Sequence, residues 1–358
     1  MDYEGQICRA PMERSSFMLP VMFDATTLSG KTVLVTGATG LIGQNIVKTL
    51  LEISDSLDRP IEIIATTRNL KKAEKVFPDS WERIRFITCD IRNPMIIDAS
   101  IDYIVHAANE TSSKAFISKP VETIQTAFLG TYNTLMLASE KGVKKYVYLS
   151  TMEVYGAPST DDKISETNGT NLDTTSVRSC YPESKRLCEN LCVSFMEERN
   201  VPVNIVRLTQ TFGPGVDYSD GRVFAEFARC AIENKDIVLH TKGETRRSYL
   251  YTQDAVSAVL TVMIQGTCGQ AYNAANESTY CSIRKMAELV AEKCTNGRIK
   301  VLIEDDARND TNYGYAPKLC MNLDISKLKS LGWNPTYDLK EMFEQLISAM
   351  REEKNNEV

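Results

Sequence analysis

Hydrophobic positions follow two periods that alternate along the first 210 residues. Short β-branched runs recur at 31–36 (KTVLVT), 61–66 (IEIIAT), 83–89 (RIRFITC), 103–108 (YIVHAA), 144–150 (KKYVYLS) and 203–208 (VNIVRL), and each predicts a buried strand. Helical spacing fills the stretches between, as in 42–53 (IGQNIVKTLLEI), with a turn-rich 54–60 (SDSLDRP) before the second strand. Strands that alternate with helices predict an α/β fold: a Rossmann-type, doubly wound parallel sheet covered on both faces. The alternation weakens after about residue 210. There 213–222 (GPGVDYSDGR) reads as a loop, 223–234, 282–294 and 339–353 as helices, and 236–241 (DIVLHT) as a strand. The expected organisation is an N-terminal arm over 1–30 with at most one short helix, and a dinucleotide-binding domain over 31–210 with a return segment near 245–265. A smaller, C-terminal-weighted α/β substrate lobe then spans 211–358.

Composition narrows the function classes. Of 358 residues, 43% are hydrophobic and 25% charged, which are ordinary globular values. The net charge of −6 argues against nucleic acid or an anionic membrane as partner. No run reaches the length of a membrane span, and the first residues lack the apolar core of a secretory signal. Ten cysteines without a CxxC pair read as reduced thiols, which points to the cytoplasm. Two histidines, His106 and His240, exclude a three-histidine zinc site, and no metal is expected. His106 reads as a core residue rather than a catalyst.

The candidate chemistry begins at Thr36-Gly37-Ala38-Thr39-Gly40-Leu41-Ile42-Gly43, between the first strand and the first helix. Glycines there permit a tight turn and close approach of a pyrophosphate, and the helix N-terminus offers unpaired N–H groups. The second strand ends in Ala65-Thr66-Thr67-Arg68-Asn69. The acid that would bind a ribose 2′-OH is absent, and Arg68 suits a 2′-phosphate, which favours NADP over NAD. Asp90-Ile91 is a candidate for the adenine edge, and Ala107-Ala108 places small residues at a strand end. Tyr181-Pro182-Glu183-Ser184-Lys185 puts Tyr181 and Lys185 on one helix face, where the ammonium is expected to lower the phenol by about 1–3 pKa units. A phenolate so formed takes a proton from a sugar hydroxyl. Upstream, Thr151 is placed to hydrogen-bond the reacting oxygen, and Glu153 to act as acid/base or to orient the sugar.

TGATGLIG, HAA, STMEVYG, YPESK, RLTQTFGPG and LDISKLKSLGWNP, in that order, resemble the extended short-chain dehydrogenase/reductases, of NAD-dependent epimerase/dehydratase type. The resemblance implies a bound NAD(P), a Thr151–Tyr181–Lys185 core, a nucleoside diphosphate-sugar substrate, and a homodimer. It adds Leu208 to the cofactor set and Gln210, Arg222, Val223 and Arg247 to the substrate set. The stripe Leu187, Leu191, Phe195 is either core or dimer seam, with core the expectation. Such enzymes oxidise the sugar, usually at C4, and then diverge, often in polysaccharide biosynthesis. Glu153 favours lyase chemistry over 4-epimerisation. Met152 stands where the dTDP-glucose 4,6-dehydratases carry an acid, and a thioether has no proton to give; GDP-mannose dehydratases and UDP-glucuronate decarboxylases, however, keep only the Glu, so both decarboxylation and 4,6-dehydration stay open. VRSCY with Lys185-Arg186, Asp220-Gly221-Arg222-Val223, and Arg247-Ser248 with Tyr251 and Asp254 are most similar to UDP-glucuronate decarboxylases. Gln210 in place of Asn, Ala127, Pro182 and Ser184 depart from that pattern. The alternatives are a nucleotide-sugar 4-epimerase and a catalytically silent NADP-binding regulator on the same fold.

Overall fold

A computed structural model describes residues 23–304 and 319–356. Residues 1–22 of the expected arm lie outside them, whereas Phe23 and Leu28 of its end are buried in the core. The first half of the chain forms β1 (Thr32–Thr36), α1 (Leu41–Asp55), β2 (Glu62–Thr67), α2 (Leu70–Val76), β3 (Ile84–Thr88), β4 (Tyr103–His106), α3 (Ser113–Ser118), α4 (Pro120–Lys141) and β5 (Lys145–Thr151). Then come α5 (Cys180–Arg199), β6 (Val203–Leu208), β7 (Gln210–Phe212), α6 (Val223–Glu233), β8 (Ile237–Leu239), β9 (Arg246–Tyr251) and α7 (Thr252–Gln265). The rest is β10 (Ala271–Ala274), β11 (Asn276–Ser282), α8 (Ile283–Leu289), β12 (Val301–Ile303), β13 (Cys320–Met321), α9 (Ser326–Lys329) and α10 (Leu339–Asn356).

Seven strands form one parallel sheet in the order β10-β6-β5-β4-β1-β2-β3. Its central strands are apolar on both faces because both are covered, as parallel sheets require. Val33, Val35, Val105 and Val147 pack under α1 and α7, while Leu34, Ile104, Tyr146 and Tyr148 pack under α4 and α5. The seventh strand, β10, is too short and mixed (AYNA) to announce itself by periodicity.

A second core gathers Phe212, Phe224, Tyr249 and Phe343, with Phe212 stacked on Phe224 at 4.7 Å. It joins α6, α10 and a four-stranded sheet in which β9 pairs with β11, β13 and β7. The late chain also returns to the first core. Trp333 is fully buried there and donates from Nε1 to Ser257 Oγ at 2.9 Å. The helix expected over 282–294 is α-helical only to Leu289 and widens to a π turn over Val290–Cys294, after which Thr295 Oγ1 donates to the Ala291 carbonyl. The Leu187–Leu191–Phe195 stripe divides: Phe195 is in the core, and Leu187 is 48% exposed.

A buried ionic network ties the sheet to α5. Glu189 accepts from Ser150 Oγ and from Nε and Nη2 of Arg207 at 3.0 and 2.7 Å. Arg207 also donates to Tyr155 Oη at 2.8 Å, and that hydroxyl donates to Asn273 Oδ1 at 2.7 Å. Removing one partner of such a pair leaves a buried charge uncompensated. Glu189→Ala is therefore expected to lower unfolding stability by about 3–5 kcal/mol, measured by denaturant melts against the unaltered protein.

Candidate active site

The strand order reverses around β1, whose neighbours are β4 on one side and β2 on the other. A crevice opens at such a switch point beyond the carboxyl ends of the strands. The glycine loop fills it. Gly37 adopts φ +66°, and a Cβ there would lie 2.7 Å from the Ala108 Cα. A Cβ on Gly43 would lie 2.2 Å from the Gly37 carbonyl oxygen. Gly40 is exposed and caps α1 without a side-chain hydrogen bond, so the N–H groups of the first turn, from Leu41, Ile42 and Gly43, have no side-chain partner. Thr39 lies between, half-buried. At β4, Ala108 N donates to Thr36 Oγ1 at 3.2 Å, and His106 Nδ1 lies 2.8 Å from the same hydroxyl. His106 is 2% exposed and burial pulls its pKa down to about 3, so it stays neutral, as a core histidine. The close-packed glycines, the free helix N-terminus and the small Ala107-Ala108 edge fit a dinucleotide.

Arg68 extends into solvent at the end of β2, and Asn69 caps α2 by accepting from Lys72 N. Asp90 is engaged by Arg92, whose side-chain hydrogen bonds hold the carboxyl below its ordinary pKa; burial opposes this, and Arg68 lowers it further. The Ile91 side chain packs where a Cβ on Gly130 of α4 would stand, at 2.5 Å, and its carbonyl accepts from Asn133 Nδ2 at 2.9 Å.

β5 ends at Thr151, beside Leu208 of β6. The first turn of α5 brings Tyr181 and Lys185 under it. The Thr151 hydroxyl, which accepts from Glu153 N at 3.3 Å, lies close enough to the Tyr181 phenol to favour its charged form. The phenol does not behave as the helix spacing suggests. Burial first, and then the Glu153 carboxylate, push its pKa up, against the smaller opposing effects of Thr151, Arg178 and Arg222. Lys185 donates instead to the Leu149 carbonyl at 2.6 Å, and burial lowers its pKa to about 8.

Glu153 is held by both oxygens on Arg178 Nη2, at 3.1 and 2.9 Å. The Arg178 guanidinium lies 4.7 Å from the Phe116 ring centroid, and Phe116 stacks on Tyr181 at 4.3 Å with 12° between planes. The Cys180 thiol donates to the Phe116 carbonyl at 3.3 Å. Sequence reasoning missed both Arg178 and Phe116. Arg178 lies three residues before Tyr181, inside the VRSCY resemblance, and was given no role; Phe116 lies in a short segment with no periodic signal.

From the second lobe, Arg222 precedes α6, pairs with Asp220 and lies over the Phe224 ring at 4.7 Å, near enough to Tyr181 to act on its charge. Val223 begins α6 and packs against the second core. Gln210 of β7 accepts from Arg247 Nη1 of β9 at 3.0 Å. The structure thus groups Thr151, Glu153, Tyr181 and Arg222, pairs Gln210 with Arg247, and keeps Arg68 and Asp90 together at the β2 end.

A glycine-cradled helix N-terminus at a parallel switch point, with Thr, Tyr and Lys beyond the next strands, defines a nicotinamide-dependent enzyme. The chain belongs to the NAD dependent epimerase/dehydratase family, whose family model matches residues 33–275. It is 29% identical over 328 residues to UDP-glucuronic acid decarboxylase 1 of Xenopus tropicalis, covering 90% of this chain and 73% of the relative. In fold it resembles the UDP-glucose 4-epimerase of Thermotoga maritima, solved with UDP-glucose, at TM-score 0.75 and 21% identity, covering 90% of this chain and 99% of that one. It also resembles the dTDP-glucose 4,6-dehydratase of Bacillus anthracis, solved with NAD, at TM-score 0.73 and 21% identity, covering 91% and 98%.

Gly43→Ala is expected to weaken NAD or NADP binding about tenfold or more, because a methyl group there forces the loop off the helix; calorimetric titration with either dinucleotide checks this.

Proposed function

We propose that this enzyme oxidises a nucleoside diphosphate-sugar at C4 and then removes CO2 from a 4-keto uronate, with the cofactor restored in the same turnover. UDP-glucuronate is the proposed substrate, on the similarity to the decarboxylases. The observation that carries the choice of decarboxylation over dehydration is Met152. Its side chain is buried at 6% exposure and its sulfur accepts from Thr209 Oγ1 at 3.2 Å. It turns into the core and offers no proton at the position where the dTDP-glucose 4,6-dehydratases carry an acid. Decarboxylation requires none there, because the C4 ketone takes up the electrons of the breaking C5–C6 bond.

The glycine loop, Ala107, Ala108, Leu208 and Lys185 would hold the cofactor, whose nicotinamide supplies hydride acceptance and return. Tyr181, in its phenolate form, would take the proton of the C4 hydroxyl, and Thr151 would hydrogen-bond the same oxygen. Arg178 and Arg222 set positive charge against the burial that keeps the phenol protonated. Glu153, fixed by Arg178, orients the sugar and moves the proton at C5. Gln210, Arg222, Val223 and Arg247 would bind the diphosphate-sugar from the lobe built on the second core. The exposed Arg68 and the absence of an acid at the β2 end support NADP. The exposed Val121, Ile124 and Tyr132 of α4 and Leu187 of α5 support a homodimer through these two helices. Among the described residues no helix is long and apolar enough to cross a membrane, and the nine described cysteines are free, which supports a cytoplasmic setting.

Two outcomes check this reading. Mass spectrometry of separate incubations with UDP-, dTDP-, GDP- and CDP-sugars is expected to show CO2 loss from UDP-glucuronate, and Tyr181→Phe to lower that rate about 10²–10⁴-fold. Loss of water would instead make it a dehydratase, and an unchanged mass with a new sugar NMR pattern an epimerase. Arg68→Ala is expected to weaken NADP binding about tenfold or more while leaving NAD affinity nearly unchanged, since only the 2′-phosphate loses a charged partner; equal loss for both would remove Arg68 from cofactor selection.

A further inference from the structure

Lys185 carries a charge in a place that gives it no acid. It is 4% exposed, and no carboxylate among the described residues forms an ion pair with it. Glu189, on its own helix, favours the charged lysine through space but makes no ion pair with it, being engaged by Ser150 and Arg207. Its other titratable neighbours carry no compensating negative charge. From β4, His106 is held neutral by burial. From α5, the Cys188 and Cys192 thiols are raised by burial and stay protonated, as does the Tyr181 phenol. From β5, the phenols of Tyr146 and Tyr148 are likewise raised by burial. One of the three ammonium protons goes to the Leu149 carbonyl at 2.6 Å.

Beside the Leu149 carbonyl, the ammonium lies directly against a ring. Lys185 Nζ lies 4.6 Å from the centroid of Tyr148, a side chain 1% exposed. The ring is itself braced by His106, which stacks on it at 5.9 Å and 24°, while the buried Tyr148 hydroxyl has no hydrogen-bond partner among the described residues. His106 in turn contacts Thr36, the residue before the glycine loop. The negative face of an aromatic ring attracts a desolvated cation more strongly than an exposed one.

We propose that Tyr148 is a positioning residue for Lys185: its ring face keeps the buried ammonium charged and aimed at the carboxyl end of β5. The phenolic oxygen contributes nothing essential; the π face does the holding. The inference rests on the role given to Lys185 above for its catalytic meaning, but its physical content is a property of the protein alone. Without the ring, burial would pull the lysine further toward neutrality, and turnover would fail at lower pH on the alkaline side.

The test replaces Tyr148 by phenylalanine and then by mono-, di- and trifluorinated phenylalanines, which drain the ring face at nearly constant shape. Lys185 is followed by NMR titration of 13C-labelled lysines in the protein without cofactor, its signal assigned by loss in Lys185→Arg. Tyr148→Phe is expected to titrate with the unaltered protein, near 8, and each added fluorine to lower the midpoint, by about one unit in total. The alkaline limb of kcat against pH is expected to move by the same amount in the same direction. A midpoint that ignores fluorination, in variants with unchanged melting temperature, would overturn the proposal. So would a Tyr148→Phe midpoint that falls as far as the trifluorinated one, since the hydroxyl would then be the holding group. If the unaltered protein turns over no nucleotide sugar, the proposed function fails while the titration still decides the role of Tyr148.

Discussion

Each functional group of this protein depends on where a parallel sheet splits. β1 feeds α1 on one face, and the next strand on its other side, β4, leads to α3 and α4 on the opposite face. The glycine loop lies between those departures. Gly37 and Gly43 keep the loop tight, because any Cβ at either would collide with backbone. The N-terminus of α1 therefore stands open beside β4, while β5 and β6 carry Thr151 and Leu208 to the same edge. Parallel pairing puts all these carboxyl ends on one side, so the glycine loop, the Thr151 hydroxyl and the Tyr181 phenol meet at one edge of the sheet.

Burial then sets the chemistry. Tyr181 and Lys185 are almost excluded from water, and each is pushed toward its neutral form. Apart from Lys185, the charges of the site are paired. Glu153 has Arg178, Arg222 has Asp220, and Glu189 has Arg207. Burial and the Glu153 carboxylate together favour the protonated phenol. The aromatic stack of Phe116 on Tyr181 excludes solvent from one face of the phenol and anchors Arg178 at the same time.

Much of the fold was readable in the chain because the core strands are buried on both faces, which writes them as uninterrupted apolar runs such as KTVLVT. The glycine loop was readable for a related reason: only glycine fits its two tight positions. β10 was not, since four mixed residues carry no period. The Glu153–Arg178 pair spans a sequence separation of 25 that only the packing of α5 under β5 closes. The direction of the Tyr181 shift was missed because helix spacing reports a neighbour, whereas desolvation is a property of the whole surround. Lys185 satisfies its charge on Leu149 and the Tyr148 ring, a choice the YxxxK spacing does not record.

The central claim is that the sugar is oxidised at C4 and reduced again at the same carbon without release of reduced cofactor. Substrate carrying deuterium at C4 tests it directly when incubated with cofactor far below stoichiometric amount. The account predicts product that retains the deuterium at C4, with no net accumulation of reduced nicotinamide. Deuterium that leaves the sugar, or reduced cofactor that builds up one for one with product, would contradict it.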